Sequence, residues 1–306
     1  MSAETRVAAV VVDHDSAPEI YGCLRALASS DEPVRVVVVD NASTDGSPDR
    51  IAAEHPGVAL VRSPRNLGFG GGVNLGAREA DEPYLLLMNP DATPEPAAIG
   101  RLVDLLERTP RAAAAGPLVL NPDGSIQPSK RAFPSLWHSA LHGLVGPFWT
   151  SNPGTRAYIL ADAPMDEPVR VGWLSASAVL LRRSAFDEVG GFDEDFFFFV
   201  EDVDLCRRLV DAGWEMWFEP RARVVHTWGG SWTKRPLRHL WMHHRNLFRY
   251  VTKHRRGAWV LAYPAIVAGL ALRFVMLVLR WVVARNAVPS HRSGVGRGQG
   301  DREDSG

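Results

Sequence analysis

A chain of 306 residues, 46% hydrophobic and 23% charged, can bury one large core, which excludes a disordered or fibrous polypeptide. The formal net charge of −1 conceals a division: residues 1–219 carry 18 Lys/Arg against 32 Asp/Glu, while residues 220–300 carry 15 Lys/Arg and no acidic residue. Such segregation turns the last quarter towards something anionic, or else makes it a solvated basic face; the apolar residues that follow favour a membrane over nucleic acid. Cys23 and Cys206 stand alone, which argues against a disulfide framework or zinc site and suits a reducing compartment. No basic stretch leads an apolar signal region in residues 1–6, so export is not expected.

In chain order, the β-branched run 7–12 predicts a strand buried on both faces. Ser16-Ala-Pro-Glu19 has capping-box spacing, so a helix is expected through Leu27. Residues 34–39 read as a second strand ending at Asp40, Ser47-Pro48 opens a short helix, and 58–62 is a third strand. A Gly-rich turn then feeds a helix to about residue 80, followed by a strand at 84–88. Alternation of this kind indicates a parallel α/β sheet, and Asp13, Asp40, Asn41 and Asp91 fall at strand ends, where open sheets bind ligands. Residues 121–168 have little periodicity and read as loops over the site. A strand is expected over 169–181, a helix over 201–212, and short strands at 215–218 and 223–226. The tail 289–306 has a disordered composition.

Five segments carry chemistry. Asp40-Asn41-Ala42-Ser43-Thr44-Asp45 offers a carboxylate and an amide to a base and a ribose, or forms a plain Asx/Ser turn. Arg65-Asn66-Leu67-Gly68-Phe69-Gly70-Gly71-Gly72 offers backbone N–H groups and a helix N-terminus to an anion, or is a flexible loop; it matches neither a dinucleotide fingerprint nor a P-loop. Asn89-Pro90-Asp91 puts a carboxylate where a hard cation could bridge to a diphosphate, the alternative being an Asn-Pro turn. Glu201-Asp202-Val203-Asp204 follows four phenylalanines, surroundings that raise a carboxylate's pKa and suit a general base; helix-dipole stabilisation explains the acids but not the aromatics. His226, at a strand end, is a metal ligand or a structural histidine.

Together and in this order, these segments resemble glycosyltransferase family 2, whose members have the GT-A fold. The resemblance runs from Val38-Val39-Asp40-Asn41 with Ser43 and Asp45, through Arg65-Asn66 and Asn89-Pro90-Asp91, to Gly190-Gly191-Phe192-Asp193, Glu201-Asp202-Val203-Asp204 and His226, over about residues 6–250. It implies a nucleotide-sugar donor, a divalent metal (Mg²⁺ or Mn²⁺) and single displacement with inversion. It assigns donor contacts to Asp13, Asp40, Asn41, Arg65, Asn66, Gly70 and Asn89, and the metal to Asp91 and His226. Asp202 becomes the base with Glu201 beside it, and Trp173 and Asp204 face the acceptor. Two departures stand out: Asp40-Asn41 replaces a common Asp-Asp, and Asn89-Pro90-Asp91 a common Asp-x-Asp, so one carboxylate carries the metal.

Residues 234–256 hold eight Lys/Arg among apolar residues, and 258–284 are apolar except for Arg273 and Arg280. The uncharged run falls short of the roughly 20 residues of a clean span, and the arginines with Trp259 and Trp281 fit a peripheral or monotopic helix on the cytoplasmic face, a full span being the alternative. The expected organisation is a catalytic domain at 1–233 (nucleotide half about 6–120, acceptor half about 165–233), a basic and apolar helical membrane-associating region at 234–288, and the tail. The motif variants are similar to those of bacterial rhamnosyltransferases. They imply transfer of L-rhamnose from dTDP-β-L-rhamnose to N-acetylglucosaminyl-diphosphoryl-polyprenol in cell-wall linker synthesis. A nucleotidyltransferase is the rival enzyme, but position 13–16 lacks its Gly-rich, Lys-bearing loop; a non-catalytic membrane module leaves the strand-end carboxylates unexplained.

Overall fold

The computed structural model describes residues 5–135, 138, 141–227 and 236–287; the tail at 289–306 and the start of the basic region at Lys234 lie outside them. The first half runs β1 (Val7–Asp13), α1 (Glu19–Ala28), β2 (Val34–Asp40), α2 (Ser47–Glu54), β3 (Ala59–Arg62), α3 (Gly68–Ala77), β4 (Tyr84–Met88), β5 (Ala92–Pro94), α4 (Ala98–Arg108) and β6 (Ala112–Leu120). After it come β7 (Ile126–Gln127), β8 (Lys130–Arg131), a π-helical turn (Leu141–Val145), α5 (Pro153–Tyr158), β9 (Val169–Val171), β10 (Trp173–Leu174), β11 (Ala178–Arg182), α6 (Arg183–Glu188), α7 (Glu201–Asp211) and β12 (Glu215–His226). The chain ends in α8 (Pro236–His254), a 3₁₀ turn (Gly257–Ala262) and α9 (Tyr263–Ala287).

The main sheet has the strand order β3-β2-β1-β4-β11-β6-β12-β5. Its β-branched first half is parallel, as expected, and β6 and β12 are also parallel. Between them β11 runs antiparallel to both β4 and β6, so the sheet as a whole is mixed. This reversal brings the start of β11 to the edge where β1, β2 and β4 end. Apolar clusters fill both faces: Val10, Val12, Leu87 and Leu181 face α3 and α7, while Val11, Leu86 and Leu180 face α1 and α4.

Several local expectations are corrected. The capping box at Ser16 does not form, because Ser16 Oγ donates to Asp13 Oδ1; α1 starts after Pro18 with no side-chain cap. The glycines at 70–72 are not a turn but part of α3 itself. A Cβ on Gly72 would meet Val12 Cγ1 at 2.7 Å, and one on Gly76 would meet Val10 Cγ1 at 2.6 Å. Their absence lets the helix backbone lie directly on β1 and β2. The strand expected over 169–181 is three short strands, and the two expected at 215–226 are one, β12, with a bulge between Glu219 and Arg223. The loop segment 121–168 contains β7, β8, the π turn and α5.

At the C-terminus, Gly257–Val283 are long and apolar enough to cross a membrane by length and composition. The outward side chains Leu261, Leu272, Val275, Leu279 and Val283 are exposed.

Candidate active site

The strand-end carboxylates of β1 and β2 are held by short local bonds. Asp13 is fully buried; its Oδ1 accepts from Ser16 Oγ and its Oδ2 from Ser47 Oγ (2.7 Å). Burial pushes its pKa up, and the two hydroxyls pull it back. With both oxygens engaged, Asp13 fixes the loops after β1 and before α2 and does not face a donor, contrary to the expected contact. Asp40 Oδ1 accepts from Ser43 N (2.8 Å).

Asn41 is also diverted from the expected donor contact. Its Nδ2 donates to Gly68 O (2.9 Å) and Asn66 Oδ1 (3.2 Å), while its Oδ1 accepts from Leu67 N (2.8 Å). Asn66 Oδ1 accepts in addition from Gly68 N (2.8 Å). The amides of Asn41 and Asn66 therefore latch the start of α3 to the end of β2. Gly70 packs on Phe192, whose Cβ would lie 2.9 Å from an added Cβ, so its smallness serves packing rather than approach to phosphate. Arg65 is exposed beside this latch.

On the next strand, Asp91 meets His226. Asp91 Oδ1 lies 3.0 Å from His226 Nε2, Asn89 Nδ2 lies 3.3 Å from the same nitrogen, and Thr227 N donates to Asp91 O (2.9 Å). The opposite ring nitrogen, Nδ1, is 3.0 Å from Gln127 Oε1. The orientation of Gln127 is fixed because its Nε2 donates to His226 O (2.7 Å) and Asn121 Oδ1 (2.6 Å). An amide oxygen only accepts, so Nδ1 is the donor to Gln127, and Nε2 is turned towards the Asp91 carboxylate.

An imidazole nitrogen and a carboxylate oxygen at this separation share a proton or flank a cation. The residues fit the second. Ligands about 2.1 Å from an ion, on adjacent corners of an octahedron, stand about 3.0 Å apart, and Gln127 supplies the outer hydrogen bond that fixes a liganding imidazole. No group of three or more His, Cys, Asp and Glu converges among the described residues. The protein's share of such a sphere is therefore small.

Opposite stands the acid pair at the start of α7. Glu201 is 6% exposed, and its Oε2 has no hydrogen-bond partner among the described residues. Burial and the adjacent Asp202 push its pKa well above the ordinary carboxylate range. Burial also raises Asp202, but its Oδ1 accepts from Val203 N (2.9 Å), its Oδ2 from Ala176 N (3.4 Å), and Arg131 adds positive charge nearby. Of the two, Asp202 is the one equipped to be an anion. The loop after β10 joins both halves: Ala176 N donates to Asp202, and Ser177 O accepts from Asn89 N (2.9 Å).

Neither expected acceptor residue reaches this space. Asp204 has no exposed surface; it accepts from Arg208 Nε (2.8 Å) and pairs with Lys253 Nζ and His254 Nε2 (both 2.7 Å). These partners hold its pKa down to about 2 against the desolvating effect of burial. Trp173, 6% exposed, lies behind Arg131, whose guanidinium carbon stacks 4.8 Å from the indole centre. Sequence reasoning missed Gln127, Arg131 and the 175–177 loop. None sits in a recognisable spacing, and all three act through pairings formed only in the fold.

This mixed sheet flanked by helices, with carboxylates gathered at the end of its parallel strands, is the fold of a GT-A glycosyltransferase. The pattern of Glycosyl transferase family 2 matches residues 9–189, and the chain belongs to that family. It is 40% identical, over 88% of its length and 92% of the relative's, to N-acetylglucosaminyl-diphospho-decaprenol L-rhamnosyltransferase of Mycobacterium tuberculosis (strain ATCC 25618 / H37Rv). Rhamnosyltransferase WbbL of Escherichia coli (strain K12) is 27% identical over 80% of this chain and 92% of its own. Among solved structures, the mannosyltransferase PcManGT from Pyrobaculum calidifontis, in complex with GDP-Man and Mn²⁺, superposes with a TM-score of 0.56 over 94% of this chain and 80% of its own, at 19% identity.

Proposed function

We propose that this enzyme transfers L-rhamnose from dTDP-β-L-rhamnose to N-acetylglucosaminyl-diphosphoryl-polyprenol, by inversion, at the cytoplasmic face of a membrane. The observation that carries the reading is the likeness, along nearly the whole chain, to the mycobacterial enzyme whose name states both sugar and lipid acceptor. The geometry supports the reaction class. In this reading residues up to 233 form the catalytic unit, and 234–288 the membrane-associating region.

Asp91 and His226 would hold a divalent metal, Mg²⁺ or Mn²⁺, with the donor diphosphate completing its sphere. When bound, the ion offsets negative charge on the departing nucleoside diphosphate. Asp40 and Arg65 line the donor side, and the Asn41–Asn66 latch keeps the start of α3 in place beneath it. Asp202 takes the proton of the acceptor hydroxyl as that oxygen attacks the anomeric carbon. The bond to the diphosphate breaks on the opposite face, its electron pair leaving with the phosphate oxygen, so a β-linked donor gives an α-linked product. The raised pKa of Glu201 limits the negative charge set beside Asp202. A phosphate leaving group needs no acid to protonate it, so one base suffices.

The test is a panel of dTDP-rhamnose, UDP-glucose, UDP-N-acetylglucosamine and UDP-galactofuranose against the N-acetylglucosaminyl-diphosphoryl lipid, with product linkage read by NMR. Turnover with dTDP-rhamnose and an α-linked product is expected. Preference for a UDP-sugar overturns the donor; a β-linked product overturns the displacement.

A further inference from the structure

Arg273 is out of place as a membrane arginine. It lies in the middle of α9, in a segment without acidic residues from 220 to 300. An arginine in an apolar helix ordinarily extends to headgroups at the helix end. Here it turns inwards: its Cδ would lie 3.3 Å from a Cβ on Gly143 in the π turn, and its Nη1 donates to His244 Nε2 (3.3 Å). His244 is committed to accepting, because its Nδ1 donates to Leu240 O (2.7 Å). Arg273 Nε is buried with no partner among the described residues.

A second guanidinium approaches from the catalytic side. Arg131 stacks on Trp173 and lies 5.9 Å from the Tyr158 ring centre, and it is close enough to Asp202 to favour its charge. Neither arginine has a carboxylate at ion-pair distance among the described residues, whereas Arg6, Arg208 and Arg221 do. Tyr158 and His142 stand between them, their rings 4.8 Å apart. The histidines add no charge of their own: burial, with Arg273 beside them, lowers His142 to about 4 and His243 to about 3. Two fixed positive charges thus flank the Tyr158–His142 pair, both close enough to act on each of its rings, and neither is paired with a carboxylate among the described residues. That imbalance is costly unless a multivalent anion enters, and the guanidinium fork matches phosphate oxygens. Beyond the site lies an apolar edge: Phe148 is 69% and Trp149 55% exposed, next to α9, where Arg280 donates to Pro147 O.

We infer that Arg131 and Arg273, with Tyr158 and His142 as neutral hydrogen-bonding groups between them, bind the diphosphate of a lipid-linked acceptor and so set its sugar against Asp202. This deepens the proposed function and rests on its lipid-diphosphate acceptor. It also gives α9 two roles, with its outer face towards lipid and Arg273 completing the acceptor site.

The test uses the full chain in nanodiscs, with farnesyl diphosphate as the probe and titration calorimetry as the readout; farnesyl monophosphate, farnesol and inorganic pyrophosphate serve as comparisons. Arg131→Gln and Arg273→Gln are each expected to weaken farnesyl diphosphate on the order of tenfold or more and to leave dTDP binding unchanged. Arg273→Lys, which keeps charge but loses the fork, should fall between. For the transfer reaction, KM for the diphosphate lipid rises in both Gln variants, while kcat on octyl N-acetylglucosaminide, which has no diphosphate, is retained in Arg273→Gln; Arg131→Gln, beside Asp202, lowers that kcat as well. Wild-type farnesyl diphosphate affinity in folded Gln variants overturns the site, and so does an equal loss of dTDP affinity. Pyrophosphate binding as tight as farnesyl diphosphate, with no dependence on either arginine, overturns it too. If the arginines govern farnesyl diphosphate binding but no sugar reaches the lipid, the proposed function falls and the site stands.

Discussion

The two faces of α7 carry carboxylates of opposite character only two residues apart. Asp202 looks into the site, supported by two backbone N–H groups and half-buried; Asp204 looks towards α8 and is wrapped by Arg208, Lys253 and His254. Burial alone raises a carboxylate's pKa, and burial among cations lowers it. One helix thus carries a carboxylate of raised pKa, which the proposed function uses for chemistry, and one of lowered pKa, which holds α8 in place. The first is expected to be felt in turnover and the second in stability.

The sharpest way to break this contrast is Asp202→Asn. Loss of a general base costs on the order of 10²–10⁴ in rate, with donor binding and melting temperature nearly unchanged; a kcat close to wild type would falsify the role. Glu201→Gln, which replaces a buried carboxyl whose Oε2 has no hydrogen-bond partner among the described residues, should cost far less. The pH profile follows from the direction of the shift: Asp202 must be ionised, its pKa is raised, and activity should fall on acidification before an ordinary carboxylate would protonate.

Metal dependence comes next. Exhaustive chelation should abolish turnover, and Asp91→Ala should weaken metal-dependent donor binding much more than Asp45→Ala. Gln127→Leu removes only the outer hydrogen bond to His226, and should raise the metal concentration for half-activity on the order of 10–100-fold. Unchanged metal response in Gln127→Leu would show that the imidazole is held by something else.

Asp204→Asn tests the other face. A carboxylate lowered from 3.8 to about 2 contributes about 2 kcal/mol to folding at neutral pH. Because its folded pKa is depressed, that contribution is complete above the unfolded value and is lost as pH falls from about 4 towards 2. Denaturant titration at pH 7 should show the loss, with kcat of the folded fraction largely retained. A full loss of kcat with unchanged stability would erase the division between the faces.

The smallest effects concern α3 and α4. Gly72→Ala places a methyl 2.7 Å from Val12 Cγ1 and should destabilise by about 1–3 kcal/mol. Gly100→Ala, in α4 with nothing within 4 Å, should stabilise by up to about 1 kcal/mol. Thermal melts of the two variants moving in the same direction would contradict the packing described for α3.

The parallel half of the fold was legible because β-branched runs at 7–12 and 34–39 have no helical period and end in Asp13 and Asp40. Their order with Asn89-Pro90-Asp91 and the Glu201–Asp204 segment revealed the family. The segment from α4 to β6 was not read: Ala112–Leu120 begins with four alanines, which favour neither a pleated face nor a turn. Side-chain roles were read less well than positions. Asn41 has the right place but is consumed by its bonds to Leu67 and Gly68, and Asp204 has the right motif but the wrong face. Arg131 and Arg273 flank Tyr158 and His142 from positions 142 apart in the chain, a separation no local spacing can signal.

The loop 175–177 has a further consequence. Ala176 and Ser177, two successive residues each reaching at most about 3.6 Å, tie the helix start that bears Asp202 to the strand end that bears Asn89 through one hydrogen bond on each side. In the proposed reaction, the separation of the Asp202 carboxylate from the strand end beside Asp91 is therefore limited by the length of this backbone. Substitutions and insertions in the surrounding 121–168 segment can reshape what is admitted without altering that gap. A lineage carrying this frame can change its sugar or its lipid by remodelling loops, while the distance over which the bond is made is inherited intact.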